Sequence, residues 1–126
     1  MCTILLSINP EHVNNIFSGK KLYEFRKVVC KRNVEKILIY STSPVKKVTG
    51  EAYVEKILYD KPEKVWKKTK QAAGIDKEFF DQYYANSTKA VAFQLKKIKQ
   101  YKNPKDLEEY GIKCPPQSFI YVENVN

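Results

Sequence analysis

The chain has 126 residues, of which 43% are hydrophobic and 29% are charged. This length suits one domain over residues 1–126, and the apolar content excludes an intrinsically disordered chain. The excess of 23 Lys and Arg over 14 Asp and Glu gives a net charge of +9, which indicates a polyanionic partner, either nucleic acid or an anionic membrane surface.

Targeting signals and cysteine chemistry are not indicated. No apolar run approaches the ~18 residues of a membrane span, and residues 1–6 show neither a basic leader nor a cleavage site. We therefore expect a cytoplasmic protein with no membrane partner. Cys2, Cys30 and Cys114 have no short spacing, which predicts neither a disulfide framework nor a metal site. His12 falls in the first turn of a predicted helix, where a solvated side chain is favoured over a catalytic one. No cofactor is expected.

The first half of the chain predicts strands and one helix. Hydrophobic periodicity places these elements, in chain order, at residues 3–8 (strand), 10–18 (helix), 21–28, 36–40 and 47–58 (strands). Asn9 caps the helix, and Gly19 ends it in the left-handed conformation. Gly50 marks a bulge or a close backbone contact within the last of these strands.

Two helices are predicted next. Residues 60–63 have the form of a capping box, and a helix is expected from there to Gly74. Asp76 caps a second helix over 76–86, with its aromatic residues on one side: Phe79, Phe80, Tyr83 and Tyr84. A helix-turn-helix DNA reader is disfavoured, because the second helix carries more acidic residues than basic ones, with Lys77 as its single lysine. A negatively charged helix does not suit a DNA groove lined by phosphates. A protein-interaction domain that uses the aromatic side of this helix is an alternative.

The last quarter of the chain predicts two strands separated by a short helix. A strand is expected over 88–101, Asn103-Pro104 caps a short helix ending at Gly111, and 114–122 forms a polar turn leading into a final strand. Strands that open and close the chain, with helices inserted between them, predict an α+β fold, a small mixed β barrel decorated by helices.

The most informative motif directly follows the first helix. Period-two alternation assigns Tyr23 and Phe25 to packing and places Glu24 and Arg26 on the other face, with Lys21 close enough to line the same groove. An ion pair on the surface of the sheet is the competing interpretation, and it contributes at most ~1 kcal/mol if exposed. The position of the charges directly after a helix C-terminus favours a site.

Basic residues concentrate in two segments, 20–36 and 89–105. Either one alone is most simply a solvated surface, but both together on so basic a chain make nucleic-acid binding an equal alternative. We expect some of these side chains to contact the phosphate backbone: Lys27, Lys31, Arg32, Lys96, Lys97 and Lys99. Tyrosines beside lysines strengthen the case slightly, since they can stack on unpaired bases.

The motif Gly19-x-Lys21-x-x-Glu24-x-Arg26, followed by Tyr40-Ser41-Thr42-Ser43-Pro44, resembles the ASCH domain family of the PUA-like superfold. The resemblance extends to the turn at 116–119. It implies a PUA-like mixed β pseudo-barrel whose cleft binds RNA or a nucleotide-like ligand. The ligand-binding residues are then predicted to be Lys20, Lys21, Glu24, Arg26, Ser41, Thr42, Ser43, Gln117 and Ser118.

The same resemblance leaves an enzyme as the alternative to a binding module. The family contains amidohydrolases that deacetylate N4-acetylcytidine with a lysine, a threonine and a glutamate, and ribonuclease activity has been attributed to it. Lys21 matches the lysine, whereas Glu24 stands where those hydrolases have the threonine. In an enzyme, Lys21 and Glu24 are the expected catalytic residues, and Glu51 or Glu55 is the expected source of a further carboxylate.

Overall fold

A computed structural model describes residues 2–123 of the chain. Its helices and strands are β1 (Thr3–Ile8), α1 (Pro10–Phe17), β2 (Tyr23–Arg26), β3 (Lys36–Ser41), β4 (Lys47–Asp60), α2 (Pro62–Thr69), α3 (Lys77–Tyr83), β5 (Ala90–Lys105) and β6 (Phe119–Val122). Short 3-10 turns follow α2 and β5. Every predicted strand is present, and none of the helices within residues 2–123 is long and apolar enough to cross a membrane.

The strands form one mixed six-stranded sheet in the order β2-β5-β4-β3-β1-β6. β1 and β3 are parallel, and the other neighbours are antiparallel. The sheet curls into a half-barrel, which brings edge strand β2 towards β1 and β6 at the other edge. Arg26, at the end of β2, donates hydrogen bonds to the Ser7 carbonyl on β1 and to Ser118 just before β6. The predicted α+β fold is confirmed, and it contains a seam where the two edges meet.

The sheet is covered on both faces. α1 packs Val13 and Ile16 against one face, where the largest apolar cluster lies, and α2 and α3 cover a second cluster around Phe25 and Phe80. A third cluster occupies the other face of β1 and β3. All of β3 is buried, as its continuous apolar run predicts. The predicted close backbone contact at Gly50 is confirmed, because a Cβ there would collide with the backbone oxygen of Lys99 and with the ring of Phe17.

The predicted capping box at 60–63 is wrong. β4 continues to Asp60, which pairs with Ala90 in the sheet, so the N-cap of α2 is Lys61, and it makes no side-chain cap. The Asp60 carboxylate instead accepts a hydrogen bond from the Lys61 amide at 2.7 Å. By contrast, Asp76 caps α3 as predicted, since its carboxylate accepts a hydrogen bond from the Phe79 amide.

The predicted cap at Asn103-Pro104 is also wrong, because β5 continues to Lys105. Val48 pairs with Lys105 and Gly50 pairs with Gln100, so residues 101–104 bulge out opposite a single residue of β4. A proline is tolerated in such a bulge because no ladder hydrogen bond is required of it there. The following 3-10 turn is capped by Asp106 and ends at Gly111 as expected.

Candidate ligand-binding site

A pocket of about 190 Å³ lies at the seam of the half-barrel. It is bounded by the end of β1, the first turn of α1, β2 and α3. Its lining combines charged residues from the predicted motif with aromatic residues from α3: Ser7, Ile8, Asn9, His12, Lys21, Glu24, Phe25, Arg26, Ile75, Phe79 and Tyr83. The structure therefore brings Lys21, Glu24 and Arg26 together, at the place where the chain's two sheet edges meet.

Lys21 lines this pocket and is almost fully buried, with only 2% of its surface exposed. Its ammonium donates a hydrogen bond to the Ala73 carbonyl at 3.0 Å and lies 4.7 Å from the centre of the Phe25 ring. Burial lowers the pKa of Lys21; Glu24, at 3.9 Å, opposes this shift, and Arg26 adds to it. Gly74 has a φ of +71°, and a Cβ there would collide with the Lys21 Cβ, so only glycine fits beside the lysine stem.

Glu24 and Arg26 form a buried ion pair, with 8% and 13% of their side chains exposed. The distance from Arg26 Nη2 to Glu24 Oε2 is 2.9 Å. The same nitrogen donates to the Ser7 carbonyl at 2.8 Å, and Nη1 donates to Ser118 Oγ at 3.4 Å. An exposed structural ion pair is therefore excluded, and Arg26 ties β2 across the seam while carrying its charge into the pocket.

Two polar atoms of the pocket have no hydrogen-bond partner. Within residues 2–123, the buried side-chain atoms that lack one are His12 Nδ1, Arg26 Nε and Gln94 Oε1. The first two belong to residues that line the same pocket, from α1 and from β2 respectively. Because buried polar groups in native proteins are almost always satisfied, these two atoms are exceptions, and both belong to walls of this pocket.

His12 departs from its predicted solvated position. Its ring is half-buried and packs edge-on against Phe79, with ring centres 5.3 Å apart. Burial lowers the pKa of His12, and the charge of Lys21 acts in the same direction, so the imidazole is neutral at pH 7. No local sequence signal shows this, because the residues that cover the ring lie more than sixty positions further along the chain.

Aromatic side chains form the apolar part of the pocket. Phe25 packs against Phe80 in the core and also lines the pocket, so its side chain serves both roles. The aromatic residues of α3 were predicted to share one side of the helix, but Phe80 and Tyr84 are buried whereas Phe79 is 46% exposed and lines the pocket with Tyr83. Flat apolar walls beside a few fixed charges suit a planar, polar-edged ligand such as a nucleobase.

Most of the predicted hydroxyl and amide ligands lie in a second cavity of about 450 Å³. It is lined by Ser7, Tyr40, Thr42, Ser43, Lys46, Pro115, Pro116 and Gln117. Ser7 lines both cavities, which makes them neighbours, and Ser118 reaches Arg26. Ser41 is not among the lining residues, because its hydroxyl pairs with that of Thr49 at 2.8 Å. Lys20 is exposed at the end of α1 and lines neither cavity.

The two further carboxylates considered for catalysis are used elsewhere. Glu51 lies 3.4 Å from the ammonium of Lys36 and accepts a hydrogen bond from Tyr101 at 2.7 Å. Glu55 pairs with Lys96 on the exposed part of the sheet. Neither lines the pocket of Lys21, so a role for them beside that lysine is wrong, and Glu24 is the carboxylate there.

The predicted phosphate contacts fall into two separate groups. Arg26, the last residue of β2, pairs with Val91 near the start of β5. Lys27, Lys31 and Arg32 follow β2, so they lie at this end of the β2–β5 pair. Tyr23 pairs with Gln94, so Lys96, Lys97 and Lys99 lie beyond the opposite end. Lys27 lies over the ring of Tyr83 beside the pocket, whereas Arg32 lies over that of Tyr121 and pairs with Glu123.

The sequence of this chain is similar to a family model and to curated proteins. A family model described as a domain of unknown function (DUF365) matches residues 1–113. A curated relative from Zymomonas mobilis, named ASCH domain-containing ribonuclease, is 32% identical over 122 residues, which are 94% of this chain and 82% of the relative. The large ribosomal subunit protein uL22 of Ureaplasma parvum is 35% identical over 122 residues, which are 96% of this chain. The chain spans only 39% of that relative's length.

Solved structures agree with this comparison. The crystal structure of ASCH from Zymomonas mobilis has a TM-score of 0.85 and 31% identity, covering 94% of this chain and 86% of that one. Variants of the same protein, with one tyrosine changed to phenylalanine or one serine changed to alanine, have the same TM-score. The N-terminal domain of Staphylothermus marinus McrB, at 16% identity and a TM-score of 0.51, shows a likeness of fold alone.

Proposed function

The chain belongs to the ASCH domain family, and from this premise we propose that it is an RNA-binding domain whose seam pocket holds one unpaired nucleobase. The neighbouring cavity, reached past Ser7, takes the adjoining nucleotide. The relative named a ribonuclease supports RNA as the ligand class, and the net charge of +9 supports a polyanion. A cytoplasmic location stays a prediction.

The observation that carries this proposal is the pocket itself, which places the rings of Phe79 and Tyr83 beside His12 and the Glu24–Arg26 ion pair. Arg26 is a donor, Glu24 is an acceptor, and a neutral His12 carries one of each, so together they suit the mixed polar edge of a base. The rings of Phe79 and Tyr83 offer stacking surfaces beside them. Glu24 keeps Arg26 in place, and Lys21 supplies a fixed positive charge below the ligand.

Binding of labelled single-stranded RNA, followed by fluorescence anisotropy at several salt concentrations, tests the proposal. Phe79→Ala removes an exposed pocket ring, and its matched control is Tyr59→Ala, which removes an aromatic side chain 52% exposed on β4 outside the pocket. We expect Phe79→Ala to weaken binding about tenfold or more, since stacking on one base contributes ~1–3 kcal/mol. Equal affinities of the two variants, or no RNA binding at low salt, contradict the proposal.

A second candidate function is ribonuclease activity, and the second cavity favours it. Tyr40 and Lys46 line that cavity together with the hydroxyls of Ser7, Thr42 and Ser43. A lysine beside hydroxyl groups can stabilise the charge that develops on a phosphodiester, and a positioned hydroxyl can transfer a proton. Tyr40→Phe keeps the ring and removes only the hydroxyl. Cleavage of RNA that is lost in Tyr40→Phe while binding persists supports an enzyme, and absence of cleavage by the wild type leaves a binding domain.

A further inference from the structure

A second aromatic and basic surface lies on the sheet, away from the pocket. The register places Lys36, Tyr53 and Lys96 in one row across β3, β4 and β5. Tyr53 is half-buried, and the ammonium groups of Lys36 and Lys97 lie 5.6 Å and 5.9 Å from the centre of its ring. We call Tyr53 and the exposed Lys96 and Lys97, with the buried Lys36 beside them and the exposed Lys99 in the next row, the Tyr53 surface.

The backbone of Lys97 is held in an unfavourable conformation. Tyr53 pairs with Lys96 and Glu51 pairs with Lys99, so Lys97 and Ile98 oppose a single residue of β4 in a bulge. Lys97 has a φ of +50°, in the left-handed region that glycine or asparagine adopts more easily than lysine. Strained residues and bulges are both enriched at functional sites, which directs attention to the Lys97 side chain. Its ammonium is brought beside the Tyr53 ring.

The charges of the Tyr53 surface are only partly neutralised. Glu51 lies 3.4 Å from the ammonium of Lys36, and Glu55 lies 2.7 Å from that of Lys96. Lys97 and Lys99 take part in no ion pair within the part of the chain that the structure describes. Two lysines outside these ion pairs, of which Lys97 lies beside a partly exposed tyrosine, combine the two components that bind single-stranded nucleic acid, a positive track and a stacking platform.

We propose that the Tyr53 surface is a second binding site for single-stranded RNA, with one base against Tyr53 and the phosphates on Lys97 and Lys99. Lys97 lies six residues along β5 from Val91, the partner of Arg26, or ~20 Å at the rise of a β-strand. RNA must therefore extend over several nucleotides to reach both sites. The inference rests on RNA as the ligand, but it does not require that the seam pocket bind a base.

Comparing a trinucleotide with an unstructured RNA of about 15 nucleotides separates the two sites. Lys97→Gln has a matched control in Lys64→Gln, which removes one exposed lysine from α2. We expect Lys97→Gln to weaken binding of the long RNA about three- to tenfold and to reduce the salt slope by about 0.7. Binding of the trinucleotide should not change. The proposal is overturned if Lys97→Gln and Lys64→Gln have equal effects, or if the trinucleotide is weakened as strongly as the long RNA.

Lys97→Gly tests the strained backbone directly. Glycine relieves the left-handed conformation and removes the ammonium, so we expect a higher Tm together with weaker binding of the long RNA. A lower Tm with unchanged affinity shows that Lys97 is structural and overturns the proposal. The proposal is also overturned if Lys97→Gly loses binding to phosphatidylserine vesicles but keeps its binding to RNA. Phe79→Ala, in contrast, is expected to weaken both RNA lengths, so failure of the pocket and failure of the Tyr53 surface are distinguishable.

Discussion

The seam pocket and the Tyr53 surface both place a lysine beside an aromatic ring, but they differ in burial. In the pocket, Lys21 lies 4.7 Å from the Phe25 ring and is almost fully buried. On the Tyr53 surface, the ammonium of Lys97 lies 5.9 Å from the centre of the Tyr53 ring, and Lys97 is exposed. A buried charge is fixed by its partners and is weakly screened, whereas an exposed one is mobile and screened by salt. The pocket is therefore suited to selecting a ligand, and the surface to raising affinity for any RNA.

Replacing the aromatic ring beside the lysine in each region should give the largest difference in the free energy of unfolding. Phe25→Ala removes a core ring that contacts both Phe80 and Lys21, and we expect it to reduce the free energy of unfolding by about 3–5 kcal/mol. Tyr53→Ala removes a half-exposed ring and should cost less than half as much. Urea unfolding of both variants measures this, and equal losses show that Tyr53 is a core residue rather than a platform.

Gly74→Ala should show how tightly the pocket holds Lys21. Gly74 and Gly19 have φ values of +71° and +85°, so alanine is strained by ~1–2 kcal/mol at either position. A Cβ at Gly74 also meets the stem of Lys21, whereas at Gly19 nothing lies within 4 Å. We expect Gly74→Ala to be the more destabilising by a further ~1–3 kcal/mol and to weaken RNA binding. If thermal melts of the two variants coincide, the packing around Lys21 is looser than the structure shows.

The buried ion pair provides a smaller, more specific test. Arg26→Gln leaves the Glu24 carboxylate buried with only Lys21 nearby, and we expect a loss of about 1–3 kcal/mol in unfolding free energy. Changing both Glu24 and Arg26 to Gln should cost less than the sum of the single changes, by ~0.5–3 kcal/mol of coupling. Additive losses in chemical denaturation rule out a direct interaction that contributes to stability.

The fold was predictable from local patterns. Alternation and apolar runs located every strand, and Asn9, Asp76, Gly19 and Gly111 mark helix ends as expected. The errors arose where β4 and β5 extend beyond their apolar stretches, because pairing between two long strands overrides local turn and cap signals. Asp60 is held in the sheet by Ala90, although its sequence context suits a cap.

The site was predictable only in part. Spacing on one strand placed Glu24 and Arg26 on the same side, and the motif drew attention to Lys21. Their burial was not predictable, because it depends on the curl of the sheet, which brings β1 and the turn before β6 against Arg26. The same holds for Phe79, which lines the pocket together with residues of β1, α1 and β2 that are distant in the chain. Helical periodicity alone cannot show which of two aromatic positions meets the core.

The smallest expected effect is a pH dependence that belongs to the pocket and not to the Tyr53 surface. His12 is the only histidine of the chain, and burial, with the charges of Lys21 and Arg26, lowers its pKa against the opposing Glu24 and Glu11. Between this lowered pKa and the ordinary value of 6.5, the unfolded chain binds a proton that the folded chain does not. Stability must therefore fall as the pH drops through this interval, and the loss is complete below the folded pKa.

His12→Gln removes that contribution, so its Tm should decline less than that of the wild type between about pH 7 and pH 5. Parallel declines in the two proteins show that the imidazole is as well solvated in the folded chain as in the unfolded one, and that the pocket does not hold it neutral.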